Sequence, residues 1–240
     1  GIAPDSAWST NRTNLQIETA GISVHNTYPH SLDISANAIQ ETSGEKQLNT
    51  SYKSSKLQQW DGSFYFKTSP AGSADPSWTT AMFIDNTGAV TMPAQPAFIA
   101  NATANQTIAN ATDTTINFTT EIADRNSNYD GTNTFTAPST GLYSFSAQVI
   151  VDAGTGNDTR FSEAYIYIIT SNREANFYWG DLESNADDRL AMQGTALMDM
   201  DANDTAIVKV FLSRYGASGS TELITHNTHL WTFFTGYLAC

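Results

Sequence analysis

The chain has 240 residues, of which 15% are charged, and a formal net charge of −13 with a pI near 4.4. That acidity excludes a basic nucleic-acid footprint, because a phosphate backbone would be repelled, and it disfavours an anionic membrane surface. No apolar run approaches the ~20 residues of a membrane-spanning helix, and the single cysteine, Cys240, has no intrachain disulfide partner.

Short apolar runs punctuate the first half: Leu15 to Ile17, Ile22 to Val24, Phe64 to Phe66 and Met82 to Ile84. Gly, Asn and Asp lie between them, a pattern of short strands joined by turns. Asp61-Gly62 and Asp85 to Gly88 are the clearest turn signals. The polar stretch from Glu41 to Lys56 reads either as a helical turn or as a long loop. Pro93 and Pro96 remove amide donors and favour extended neighbours. A boundary there gives a β-rich module over residues 1–93 and a second domain over 94–240. Residues 1–95 carry 5 Lys/Arg and 8 Asp/Glu, whereas residues 96–240 carry 6 and 16, so the acidity belongs mainly to the second half.

Longer strands are expected beyond the prolines. From Leu142 to Val151, Tyr143, Phe145, Ala147, Val149 and Val151 share one face, with Ser144, Ser146 and Gln148 on the other. Ala164 to Ile169 is apolar on both faces, as in a sandwich interior or a subunit interface. Ala206 to Leu212 repeats that pattern with one lysine. Leu230 to Leu238, rich in aromatic residues, predicts a central strand. No convincing amphipathic helix longer than about three turns is found.

The second half resembles the globular-head family of complement component 1q, which shares the tumour-necrosis-factor-like jelly roll. The resemblance rests on Pro96-Ala97-Phe98, Ile116-Asn117-Phe118, Asn128-Tyr129-Asp130, Phe135-Thr136-Ala137-Pro138 and Gly141-Leu142-Tyr143-Ser144-Phe145. Asp204, opening the segment to Val210, and the ending Phe233 to Leu238 complete it, so that residues 96–239 are covered. It implies an all-β, ten-stranded jelly roll that assembles as a homotrimeric knob. Residues 8–90 are similar to a module of phage tail-fibre and tailspike proteins. That likeness rests on Leu15-Gln16-Ile17, Ser35 to Ala38, Trp60-Asp61-Gly62, Phe64-Tyr65-Phe66 and Trp78 to Met82 leading into Asp85 to Gly88. It implies a β-rich shaft or collar carrying the knob.

Catalytic signatures are absent from the sequence: there is no nucleophile elbow, phosphate loop, dinucleotide fingerprint or zinc-protease motif. No enzyme activity is expected. His25, His30, His226 and His229 form no metal array by spacing and read as structural or solvated; a trimer could still align equivalent copies around its axis. Two acidic clusters stand out, Asp181, Glu183, Asp187 and Asp188, then Asp199, Asp201 and Asp204. Neither has the spacing of a calcium loop. No cofactor is expected, with calcium on Asp187 and Asp188 at a trimer apex as the open possibility beside a solvated loop. Trp179, Asp181, Glu183 and Tyr215 are the candidate receptor contacts, since an aromatic face beside carboxylates suits sugar or protein recognition. A core strand over Phe177 to Trp179 is the competing reading. The Asn-x-Ser/Thr sites, Asn101 and Asn117 among them, read as compositional.

The expectation is a homotrimeric fibre-tip or appendage protein on the surface of a virus, foremost a phage. Its N-terminus would join a virion attachment protein, and its head would contact a host-surface glycan or protein, without nucleic acid and without membrane insertion. Two alternatives stay open: a secreted, lectin-like complement-type head, and a polysaccharide-cleaving tailspike.

Overall fold

A computed structural model describes residues 12–17, 20–25, 31–152, 161–182, 189–215 and 220–240. The chain divides into two compact units, Gly1–Gln95 and Pro96–Cys240. Every regular element among the described residues is a β-strand.

The first unit contains β1 (Arg12–Ile17), β2 (Ala20–His25), β3 (Ser31–Ala36), β4 (Ala38–Glu41), β5 (Gly44–Gln47), β6 (Ser54–Trp60), β7 (Ser63–Ser69), β8 (Thr79–Ile84) and β9 (Val90–Thr91). Seven of them form one antiparallel sheet in the order β1-β2-β3-β6-β7-β8-β9, and β4 pairs β5 as a separate hairpin. The Asp61-Gly62 turn closes β6 onto β7 with φ of 47° and 78°. Positive φ at both central positions is the twist-matched hairpin geometry, and glycine takes it without steric cost. At the next turn, the Asp85 carboxylate accepts the amides of Thr87 (2.8 Å) and Ala89 (2.9 Å).

The segment from Glu41 to Lys56 is neither a helical turn nor a long loop. It forms the β4–β5 hairpin and the start of β6, and β4 packs on β1, β2 and β6. Its polarity has a tertiary use. Glu45 on the hairpin binds Lys56 at 2.6 Å and accepts the Trp78 indole N–H, while the Lys56 ammonium lies 4.7 Å from the Trp78 ring centre. Lys56 is thereby buried at 6% exposure with its charge compensated. Nearby, Lys67 donates to Gln58 at 2.8 Å; burial, and then the neighbouring Lys56 charge, lower its pKa.

The second unit contains β10 (Ala97–Asn101), β11 (Thr107–Ile108), β12 (Thr114–Thr115), β13 (Thr120–Arg125), β14 (Phe135–Thr136), β15 (Gly141–Asp152), β16 (Phe161–Thr170), β17 (Glu174–Leu182), β18 (Arg189–Met200), β19 (Thr205–Arg214), β20 (Thr221–Leu223) and β21 (Phe233–Leu238). One sheet follows β11-β20-β15-β21-β10-β13, with β18 on the other edge of β15. The other runs β12-β19-β16-β17, with β14 also on β19. Two antiparallel sheets face to face make the expected jelly-roll sandwich, to which the short β11–β20 pair adds a corner.

Alternation decides what fills the sandwich. Tyr143, Phe145, Ala147, Val149 and Val151 of β15 are buried, as are Ala164, Ile166 and Ile168 of β16 and Ala206, Val208, Val210 and Leu212 of β19. Between the sheets lies an aromatic cluster. Phe98 stacks on Phe135 (4.9 Å) and Tyr129 (5.1 Å) and meets Phe234 edge-on at 4.9 Å. Phe145 sits 5.7 Å from both Phe135 and Phe234. Such pairs add stabilisation beyond the area they bury. The buried Tyr129 hydroxyl donates to the Phe118 carbonyl at 3.1 Å, which meets the hydrogen-bonding need of the cluster's polar tip. β21 lies between β15 and β10, so the C-terminal aromatic strand is central.

Candidate functional site

The strand register sorts the candidate contact residues. Along β17, Ala175, Phe177 and Trp179 are half-buried and pack against the core, while Tyr178 points outward and is 58% exposed. Trp179 therefore supports the sandwich. Asp181 is the last residue but one of β17, next to Leu182, which pairs with Phe161 at the start of β16, and Phe161 pairs with Arg214 on its other side. Tyr215 follows Arg214 and is exposed, so Asp181 and Tyr215 belong to the same end of this sheet. Glu183, Asp187 and Asp188 lie outside the described residues.

The second acidic cluster is occupied with structural work. Asp199 pairs with Arg173, whose Nη2 donates to Oδ2 at 3.2 Å. The hydrogen bond from Arg173 holds the Asp199 carboxyl below its usual range. Asp204 Oδ2 accepts the Asp201 amide and the Asn172 side-chain amide, both at 2.7 Å. Among the described residues, no three His, Cys, Asp or Glu side chains are placed to share a metal ion. The His226 and His229 rings lie 4.3 Å apart, tilted by 38°, and His226 Nδ1 accepts the amides of Thr228 (3.0 Å) and His229 (3.1 Å) in a local turn. Asn101 is 2% exposed and donates to the His226 carbonyl, which leaves no room for a glycan there.

The outer face of the sheet β19-β16-β17 carries an aromatic ledge. The register aligns Phe211, Tyr165 and Tyr178 in one row, and Lys209, Tyr167 and Asn176 in the next. The Tyr165 ring lies 4.8 Å from Tyr178, 5.7 Å from Tyr167 and 5.8 Å from Phe211. Desolvation and then the Glu163 charge raise the Tyr165 pKa. Desolvation, followed by the charges of Asp113 and Glu174, raises that of Tyr167. Both phenols therefore stay neutral across the physiological range. The ledge presents flat apolar rings beside hydroxyls, an amide and one ammonium, a combination suited to sugar rings or protein loops. Ala164 to Ile169, apolar on both faces in sequence, buries Ala164, Ile166 and Ile168 in the sandwich and turns Tyr165 and Tyr167 to the ledge. Its signal for the ledge was present: tyrosines at alternate positions, between the small or aliphatic residues Ala164, Ile166 and Ile168.

The opposite sheet presents a different surface. Leu197, Ser144 and Tyr237 form one outward row; Thr195, Ser146 and Thr235 the next; Gln193, Gln148 and Phe233 a third. None of these nine residues is charged, although the chain carries −13. Leu197 is 60% exposed and Tyr237 52%.

Comparison with known proteins places this architecture. A family model described as the C1q domain matches residues 97–239. Among solved structures, the globular domain of zebrafish complement 1qA is similar at 16% identity and a TM-score of 0.41, covering 60% of this chain and 98% of that one. Murine APRIL, solved at pH 8.5 and at pH 5.0, is similar at 11% identity with TM-scores of 0.39 and 0.41 and the same coverages. No curated protein matches the chain. The matched span takes in β10 to β21 and every residue of the Phe98–Tyr129–Phe135–Phe145–Phe234 cluster, and on that match the chain belongs to the C1q-domain family.

Proposed function

We propose that this protein is a homotrimeric receptor-binding head carried at the tip of a viral fibre or appendage, foremost that of a phage. C1q-type domains are typically trimeric ligand-binding heads and typically non-enzymatic. The observation that carries the trimer is the uncharged central patch on the outer face of β15, β18 and β21, with Leu197 and Tyr237 exposed on an acidic chain, while Asp152, Arg189 and Asp199 lie towards the ends of that face. A patch without ions can be covered by a neighbouring subunit without charge desolvation. The aromatic ledge of Tyr165, Tyr167, Tyr178 and Phe211 would then meet a host-surface glycan or protein, with three copies converting weak contacts into avidity. The first unit would act as the shaft or collar that joins the head to a virion attachment protein, the role that the sequence resemblance of residues 8–90 implies.

Sedimentation equilibrium tests the assembly. The expected mass is three times the 26.0 kDa of one chain, and a stable monomer overturns the reading. The family match supports a secreted complement-type head equally well, and the two separate on location. Antibodies against the chain would label appendage tips of purified particles in the fibre reading and leave them unlabelled in the other.

A further inference from the structure

The sheet of the first unit has two faces of opposite character. Cross-strand pairing defines a continuous row, Leu15–Ile22–Ile34–Leu57–Phe66–Met82, spanning six strands on one face. Beside it runs Val24–Leu32–Gln59–Phe64–Ile84–Val90 on the same face. Neither row contains a charged residue. Leu15, Ile22, Val24, Ile34, Phe64, Phe66 and Val90 are nevertheless 39–52% exposed among the described residues. The other face holds Asp33, Lys56, Gln58 and Lys67, and Asp33 and Lys56 are buried at 4% and 6%. The unit thus covers its polar face with the β4–β5 hairpin and leaves its apolar face open. That is the reverse of the usual arrangement for a one-sided sheet in water.

We infer that this apolar face is a subunit interface, and that its occupant is the same face of the other copies of this chain. Seven strands about 4.8 Å apart and about five residues long at ~3.3 Å each give a footprint of roughly 500 Å². Apolar patches beyond a few hundred Å² mark association surfaces. The chemistry selects a copy of itself over an unrelated ionic partner, because every position in both rows is apolar or an amide. Ala20, Ala36 and Ser55 leave a shallow groove beside Ile34, Leu57 and Phe66 into which large side chains of a copy would fit. The inference rests on the homotrimer of the proposed function, since the chain that joins this unit to the head holds three copies at high effective concentration.

Cross-linking of the full chain tests it. In a Cys240→Ala background, Leu57→Cys places one thiol at the centre of the face, and Ser43→Cys places one on the exposed β4–β5 turn as the control. Copper-phenanthroline oxidation should convert the Leu57→Cys chain to covalent dimers and leave Ser43→Cys monomeric on non-reducing gels. In unoxidised protein, iodoacetamide should modify Leu57→Cys at least tenfold more slowly than Ser43→Cys. A chain that sediments as a trimer, yet neither cross-links nor is protected at position 57, overturns this inference and leaves the head's assembly standing. A monomer overturns both. Phe66→Lys in the native chain is a second, independent probe. It should increase binding of an apolar dye to the full chain by several-fold, and unchanged dye binding counts against the interface.

Discussion

Gly236 is fully enclosed on β21, and a Cβ there would collide with the Phe145 ring and come within 2.8 Å of Phe98. The glycine of the closing FFTGYL segment is needed for ring packing, and its φ is unremarkable. Gly236→Ala overpacks the aromatic cluster and should cost about 1–3 kcal/mol, measured by urea unfolding. Asp130 offers a pH test. Burial opposes its ionised form, but amides of Thr134, Asn133 and Thr132, donating at 2.8–3.0 Å, outweigh that and lower its pKa. A depressed carboxylate stabilises the fold above its unfolded pKa of about 3.9 and loses that contribution as pH falls through the lower folded value. Melting temperatures should therefore fall on acidification below about pH 4, and Asp130→Asn should flatten this part of the profile. Parallel slopes for the two proteins would refute the assignment.

Strand β17 divides structural from contact roles within three residues. Trp179→Ala removes a ring packed against the core and should destabilise the head by about 1–3 kcal/mol, less than a fully buried aromatic would. Tyr178→Ala and Tyr167→Ala change the outer ledge and should alter stability by less than about 1 kcal/mol. Binding to a printed glycan array or to intact host cells should weaken at least tenfold with the tyrosine variants. Should Trp179→Ala abolish binding at unchanged stability while Tyr178→Ala does nothing, the ledge is the wrong surface. The alternation in Asn176 to Trp179 is visible in the sequence, but both phases expose an aromatic residue. Only the position of the facing sheet settles that Phe177 and Trp179 turn inward.

At the scale of the whole molecule, the two uncharged patches belong to separate units, and the proposed assembly assigns self-association to both. Sedimentation should report a trimer that withstands high salt, because apolar contacts are not screened as ion pairs are. Dissociation by 1 M NaCl would argue for an ionic interface. The acidic balance contributes nothing to these patches, since every position in their rows is uncharged.

Period-two alternation and turn residues were enough, by themselves, to determine strands, the all-β class and the buried side of β15, whereas β16 and β19, apolar on both faces in sequence, took their buried side from the facing sheet. Aromatic motifs at Phe98, Phe135, Phe145 and Phe234 sufficed for the family, because each is a core position of the sandwich. Tertiary structure decided the rest. Glu41 to Lys56 became a covering hairpin because Glu45 meets Lys56 and Trp78, which lies 33 residues along the chain from Glu45. The apolar rows of the first sheet and the tyrosine ledge of the second both emerge from register across strands distant in sequence. Alternation is a local property of a strand, whereas the side that is covered depends on which other segment packs there.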